Sequence, residues 1–348
     1  QGLTDESAFL DVLPAKLCKA VKLSIGFKTL VELVLDLGRY PTIRYQKTLD
    51  EGQGQEGGRA CNVYVDEQLE DLTLVDARFL TRMANKLDGF DQQNRAIIPD
   101  SLHRASALFL RSGKMAGITL RYGRHLPGCM APLADLLSGS VLFIGGPGVG
   151  KTTLLRECAA QISKTLRVMI VDGSNEIAGD CPTPHRAVGA SRRVMVGGDG
   201  SRGQKDAMLE ALQNHTPQVI VVDEISNAEE AAAARTITRR GVRLVATCHG
   251  RGLRDLRSNM ELSSLLGGFN TVILGASERR YDGRRKTAVE RVAMPLFDSI
   301  VEVAARDSWI VHRNPAQAVD DILAGRRPRA EHRWRDTDGG LWVEMVVA

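Results

Sequence analysis

The sequence predicts an α/β fold with a mostly parallel central sheet, preceded by a mixed α/β N-terminal region. Three observations carry this. Short apolar, β-branched runs recur at VLFIG (Val141), VMIVD (Val168), QVIVVD (Gln218) and TVILG (Thr271), with the more mixed VRLVAT at Val242. Helical stretches separate VLFIG, VMIVD, QVIVVD and VRLVAT, as parallel strands covered on both faces require. A glycine-rich turn, GGPGVGKTT, follows the first strand and leads into a helix.

In chain order, Phe9, Leu10, Leu13, Leu17 and Val21 recur at three- and four-residue spacing, which predicts an amphipathic helix over 9–21. A second apolar run, Leu30 to Leu37, stops at Gly38. The stretch DEGQGQEGGRA, with four glycines and little to bury, reads as a hinge between two N-terminal pieces. A strand at Asn62–Val65, helices over Leu74–Leu87 and Leu102–Leu110, and a strand at Gly117–Tyr122 follow. Pro127 and Gly128 mark a boundary, and a helix over Leu133–Leu137 leads into the core. The expected organisation is a helical region 1–49, a linker 50–60, a small α/β domain 61–130, a main α/β domain 131–306 and an extension 307–348. That extension holds all three Trp, 309, 334 and 342, and is expected to pack in part.

Composition narrows the classes. The 348 residues, 43% hydrophobic, can bury more than one core, and a net charge of +4 from 46 basic and 42 acidic residues is too small for a general nucleic-acid coat. Cysteines 18, 61, 129, 158, 181 and 248 form no CxxC pair or repeated spacing, which argues against a zinc module or disulfide framework and for a reducing compartment. No apolar run is long enough to cross a bilayer, so no transmembrane anchor is expected. The chain begins at Gln1, as a processed form would.

Gly145, Gly150, Lys151 and Thr152 satisfy GxxxxGK[ST] in the strand-to-helix context that the motif needs. Glycines let backbone amides from Gly148 to Thr152 turn toward phosphate oxygens, Lys151 brings a cation to them, and Thr152 offers a hydroxyl to Mg²⁺. The expected nucleotide contacts are Gly145, Gly146, Pro147, Gly148, Val149, Gly150, Lys151, Thr152 and Thr153, with ATP and Mg²⁺ as cofactors. A glycine-rich turn with an incidental lysine is the competing reading. Asp223 ends the strand QVIVVD and suits a water-mediated hold on Mg²⁺, while Glu224 suits a general base that polarises the attacking water. Glu176, in VDGSNEIAGD, is a candidate for a Mg²⁺-water contact or for orienting water, against a structural loop bond, and Asp172 can cap that turn. His249 ends VATCH, where a neutral imidazole can sense the γ-phosphate; a satisfied core histidine is the alternative. Phosphoryl transfer often uses a further cation, and Arg121, Arg124, Arg235, Arg239, Arg240, Arg279 and Arg280 are candidates, with Arg124 and Arg240 chosen for the site. For each, a solvated or carboxylate-paired arginine is the competing reading.

The segments LVLDLGRYPTIRY, NRAIIPDSLHRASALFLRSGKMAGITLRYGR, GGPGVGKTTLLRE, VDGSNEIAGD, ALQNHTPQVIVVDEI, EAAAARTITRRGVRLVATCHG and ERVAMPLFDSIVEV resemble the ycf45 (hypothetical chloroplast reading frame) family, with the bacterial stage III sporulation AA ATPases among its relatives. The likeness covers nearly the whole chain. It implies a RecA-like P-loop NTPase core, similarity to ring-forming secretion and type IV pilus ATPases, a homohexamer with ATP near subunit boundaries, and a plastid stroma, with the cytoplasm as alternative. It assigns the phosphate loop to Gly145–Thr153, the hydrolytic carboxylates to Asp223 and Glu224, the acidic box to Glu176 and the strand-end histidine to His249. Several photosynthetic members carry a C-terminal nucleic-acid module marked by Arg and His with three residues between; here Pro328 stands four before His332. Gly173 replaces a typical Thr.

The expected activity is ATP hydrolysis by an oligomeric motor that moves or remodels a macromolecule. The alternatives are a nucleic-acid-dependent ATPase and a nucleotide-dependent scaffold. DNA or RNA, and a protein substrate, are the candidate partners. RRYDGRRK from Arg279, with Arg284, Arg285 and Lys286, and GRRPRAEHRWR from Gly325 could contact phosphates, with too few interleaved aromatics to establish a stacking platform.

Overall fold

The computed structural model describes residues 5–50, 60–87, 89–91, 93–197, 202–273, 287–336 and 338–348. The chain divides into two compact units, one of residues 1–125 with 179–185, the other of residues 126–178 with 186–348.

The first unit is a six-stranded antiparallel sheet in the order β3-β2-β1-β6-β5-β4. The helix expected over 9–21 is broken in two, α1 (Asp5–Asp11) and α2 (Ala15–Leu23), because Pro14 lacks the N–H that would continue the ladder. The run from Leu30 is strand β1 (Leu30–Asp36), with Leu30, Leu33 and Leu35 buried. Residues 1–49 are therefore not a helical region. Strands β2 (Thr42–Asp50) and β3 (Ala60–Gln68) pair without interruption from Thr42–Gln68 to Asp50–Ala60. The glycine-rich stretch thus joins adjacent strands of one sheet and does not divide two domains, although residues 51–59 lie outside the described residues.

Helix α3 (Ala77–Ala84) is capped by Asp76, which accepts the Phe79 N–H, and buries Leu80 and Met83. Strands β4 (Arg95–Ile97), β5 (Arg104–Phe109) and β6 (Met115–Arg121) complete the sheet. The helix expected over Leu102–Leu110 is strand β5: Ala105 and Ala107 are buried while Arg104, Ser106 and Leu108 are not, the two-residue period of a strand. A Cβ at Gly123 would lie 2.1 Å from the Leu102 carbonyl oxygen, so that close approach demands glycine.

The second unit is built on a nine-stranded sheet, β17-β16-β15-β14-β7-β11-β10-β8-β9. Strands β7 (Val141–Gly145), β8 (Val168–Asp172), β9 (Arg192–Met195), β10 (Val219–Val222), β11 (Arg243–His249) and β14 (Ser299–Ala305) run parallel. A tight 3₁₀ turn over Ala131–Ser138 stands where the short helix before β7 was expected. Val141 and Phe143 pack with helix α4 (Lys151–Ile162) on one face. Leu142 and Ile144 pack on the other with α5 (Gln204–Asn214), α6 (Ala228–Arg239), α7 (Leu253–Ser258) and α8 (Pro315–Leu323).

Two expectations are corrected here. TVILG is not a core strand: β12 (Phe269–Ile273) pairs antiparallel with β13 (Thr287–Arg291) in a separate two-stranded sheet, and Ile273 is exposed. The place beside β7 belongs to β14, whose Val301 and Ile300 are fully buried. Residues 307–348 are no appendage either, because β15 (Ser308–His312), β16 (Arg329–Arg335) and β17 (Leu341–Val347) extend the same sheet antiparallel, and Trp309 lies in its core.

Candidate functional site

Four parallel strands end at one edge of the second unit's sheet. β7 ends at Gly145, β11 at His249, which is in register with Gly145, β8 at Asp172, and β10 hands over to Asp223 and Glu224. Open parallel sheets gather ligands at this edge. Leaving β7, the chain turns through Gly148 (φ 75°) and Gly150 (φ 102°), and α4 starts at Lys151 with no side-chain cap on its first turn. The left-handed backbone at both glycines leaves first-turn amides free to bind an anion. Thr152 and Thr153 stand half-buried in that turn.

The Lys151 ammonium is buried. It donates to the carbonyls of Gly145 at 2.7 Å and Gly146 at 2.8 Å and lies 3.3 Å from His249 Nδ1. Burial lowers its pKa, a shift opposed by the charge of Glu224. His249 Nε2 is in turn 3.0 Å from Glu224 Oε2. Nδ1 faces an ammonium, which can only donate, and Nε2 faces a carboxylate, which can only accept, so the ring accepts on Nδ1 and donates on Nε2. Lys151, His249 and Glu224 thus form one continuous chain of donors and acceptors across three strand ends.

Asp223 receives the Ser174 hydroxyl on Oδ2, and its backbone carbonyl receives that of Thr247. Burial raises the Asp223 pKa, and the nearby charge of Glu176 adds to this. Asp172 caps the turn, accepting the N–H groups of Glu176 (3.0 Å), Ile177 (3.0 Å) and Ala178 (2.9 Å). Burial first, and then the charge of Asp223, push Asp172 up to about 7. On the other side of the loop the buried Arg156 donates to the carbonyls of Ile177 at 2.8 Å and Glu176 at 2.5 Å, so the Glu176 backbone is gripped from both sides.

The two chosen arginines are not brought to this edge within the unit. Arg240 caps the end of α6, ahead of the start of β11 at Arg243, and β11 itself runs roughly 20 Å from there to the strand end that carries His249. Arg124 belongs to the first unit, where it donates to the Leu30 carbonyl at 2.9 Å and lies 4.8 Å from the Tyr122 ring centroid. Arg279, Arg280, Arg284, Arg285 and Lys286 lie outside the described residues.

Sequence reasoning missed Arg156, Ser174, Thr247 and Gln204, whose amide donates to the Glu224 carbonyl. It also missed the Glu302–His312 pair, 2.9 Å apart. Glu302 accepts the Leu253 N–H at 2.8 Å and so pins the start of α7 four residues beyond His249. No short motif marks these residues; only the meeting of strand ends does.

The model of the family described as "Sporulation stage III, protein AA" matches residues 120–279. Over 343 residues the chain is 33% identical to the uncharacterized protein ycf45 of Cyanidium caldarium, covering 97% of this chain and 96% of that one. The chain belongs to the ycf45 family. Arabidopsis thaliana Protein SEEDLING PLASTID DEVELOPMENT 1 is 39% identical over 94% of this chain and 45% of its own. The chain spans about half the length of the longer curated relatives it matches. Among solved structures, the pilus retraction motor PilT with bound ADP superposes with a TM-score of 0.50 at 14% identity, over 95% of this chain and 82% of that one. That likeness is one of fold. Among the described residues no helix is long and apolar enough to cross a membrane.

Proposed function

We propose that the chain is a Mg²⁺-dependent ATPase with a RecA-like core, a subunit of an oligomeric motor that moves or remodels a macromolecule. The observation that carries this is the Lys151–His249–Glu224 chain at the end of a glycine loop. The residues present fit a nucleotide: the buried ammonium has carbonyls and an imidazole as its hydrogen-bond partners, and the first turn of α4 has no side-chain cap. Lys151 and the loop from Gly145 to Thr153 would hold the phosphates, and Thr152 and Asp223 would hold the metal, with Glu176 beside them. When bound, Mg²⁺–ATP supplies the transferable γ-phosphoryl group and the charge that activates it. Glu224 holds the position of the proton acceptor, and the His249 Nε2–H keeps its carboxylate oriented.

Kinship with the pilus motor fold supports assembly, and a homohexamer is the proposed state. Arg124 or Arg240 then serves a neighbouring subunit's site, which accounts for the place of Arg240 at the far sheet edge. Relatives from plastids support a plastid stroma, with the cytoplasm as alternative. A nucleic-acid-dependent ATPase is the second reading, favoured by the basic and aromatic C-terminal hairpin.

The test is ATP binding and steady-state turnover of Lys151→Ala and Glu224→Gln. Lys151→Ala is expected to lose nucleotide affinity, and Glu224→Gln to bind ATP while turnover falls about a hundredfold or more. Undiminished turnover in Glu224→Gln would sink the assignment of the base.

A further inference from the structure

The pair Glu302 and His312 lies outside the chain of donors and acceptors at the nucleotide site, yet one short turn joins the two. From His249 the backbone passes through Gly250, Arg251 and Gly252 before α7 begins at Leu253. Three contacts fix this turn. A Cβ at Gly250 would lie 3.2 Å from the Ile144 side chain, so the backbone leaves β11 hard against β7. Arg251 donates its N–H to Asp255 at 3.0 Å, and Leu253 donates its N–H to Glu302 Oε1 at 2.8 Å. Gly252 and Leu253 are both buried. At Gly252 a Cβ would come within 2.7 Å of Glu302 Oε2, so only glycine lets the backbone close on that carboxylate.

Glu302 stands on the far side of the strand that feeds the phosphate loop. β14 and β11 flank β7, with Glu302 opposite Ile144 on one side and His249 opposite Gly145 on the other. Two strand spacings, roughly 10 Å, separate them, and the turn covers that distance, passing Ile144 at Gly250 and reaching Glu302 at Gly252. His312 fixes the carboxylate in its turn. The ring is fully buried, and its Nε2 lies 2.9 Å from Glu302 Oε1 and donates to it, since a carboxylate can only accept. Nδ1 meets no hydrogen-bond partner among the described residues. Leaving that nitrogen buried and unpaired costs free energy, which points to a role for the pair beyond stability.

At the near end of the turn the His249 ring bridges Lys151 and Glu224, and its direction follows from the path of the backbone that carries it. From this geometry we infer that Glu302 is a positioning residue for His249. Oriented by His312, its carboxylate pins the turn at Gly252 and Leu253 and thereby holds the imidazole between the ammonium and the proposed base. Glu302 makes no contact with the nucleotide in this assignment. Its loss acts on turnover through His249 and leaves ATP affinity, set by the Lys151 loop, as it was. The inference deepens the ATPase reading and rests on it, but the state of the His249 ring can be read without any turnover.

The experiment measures ATP binding and steady-state turnover of the whole chain in Glu302→Ala, Glu302→Gln and Gly252→Ala, each alone and combined with His249→Gln. In parallel, without nucleotide, it follows the rate at which diethyl pyrocarbonate modifies His249, by mass spectrometry of the peptide that carries it. Glu302→Ala is expected to lower turnover about tenfold at unchanged ATP affinity, since a misplacement of ~1 Å can cost up to about a hundredfold. Glu302→Gln keeps an acceptor for the Leu253 amide and for His312, and should recover most of that loss. Gly252→Ala leaves Glu302 in place and drives the turn off it, so it should reproduce the loss and decides the matter if Glu302→Ala does not fold. With His249→Gln present, Glu302→Ala should lower turnover no further, because two residues that act as one unit are not additive. The reagent attacks a ring lone pair, and the Nδ1 lone pair is covered by the Lys151 ammonium, so release of the ring in Glu302→Ala should speed the modification of His249. That arm needs no hydrolysis and decides the inference even for an inactive wild type, which would instead sink the ATPase reading. Full turnover in folded Glu302→Ala, an equal further fall with His249→Gln present, a loss of ATP affinity that accounts for the lost turnover, or an unchanged rate of His249 modification would overturn it.

Discussion

Arg156 offers the sharpest test of how the acidic loop is held. Its side chain is 5% exposed, and its guanidinium spans two successive carbonyls, Ile177 at 2.8 Å and Glu176 at 2.5 Å. Met at this position keeps most of the apolar stem and removes the fork. Two charge-assisted bonds, each worth ~1.5 kcal/mol or more, are lost and their acceptors left buried, so Arg156→Met should cost about 3 kcal/mol. For a unit of this size that corresponds to a fall in Tm of about 6–12 °C. The three amides that Asp172 accepts remain, so the damage should stay within residues 173–178 and on the Glu176 side of the site. ATP affinity, set by the Lys151 loop, is expected to change little, while turnover falls about tenfold or more through loss of orientation. Thermal melting, ATP binding and steady-state hydrolysis measure the three quantities, and Arg156→Lys, able to reach one carbonyl, should recover part of the Tm loss. A Tm within about 2 °C of the wild type together with full turnover would refute the reasoning.

Other outcomes follow from single observations. Asp135, bonded by Arg333 and Arg313, is held down to about 2, below its unfolded value, so the pair's stabilisation is present above pH ~4 and lost as pH falls toward ~2. Because Asp135 is partly exposed, Asp135→Asn should cost only about 1 kcal/mol at neutral pH, and urea melts of variant and wild type should converge in that acid window. Gly150→Ala meets no neighbouring atom, so its whole cost is the left-handed backbone at φ 102°, about 1–2 kcal/mol, read as a lower Tm and weaker ATP binding. Gly123→Ala drives a methyl into the Leu102 carbonyl and should destabilise the first unit by about 1–3 kcal/mol, seen as earlier proteolysis of residues 1–125.

The glycine loop, the strand ends and the succession of β7, β8, β10 and β11 along the chain were legible because each rests on a local pattern: a continuous apolar run, a turn that only glycine tolerates, a polar residue at the point where a strand leaves the core. Asp172 as a cap was legible for the same reason. Arg156 and Glu302 were not, since Arg156 acts on carbonyls 20 and 21 residues away and Glu302 on an amide 49 residues away, distances that no local pattern spans.

The sequence alone determined that a P-loop-like turn lies between an apolar strand and a helix, with Asp223, Glu224 and His249 at further strand ends. Tertiary structure decided which strands are neighbours. TVILG is as apolar as SIVEVAA, yet β14 lies beside β7 and β12 pairs elsewhere, and Leu102–Leu110 fits a helical spacing while β5 pairs with both β4 and β6. It also decided that Trp342 lies against Trp334, eight residues apart in sequence and directly opposite in the hairpin. Apolar spacing records only that a side chain leaves water. Which surface receives it depends on the burial gained across the whole sheet, and that is not a property of any short stretch of chain.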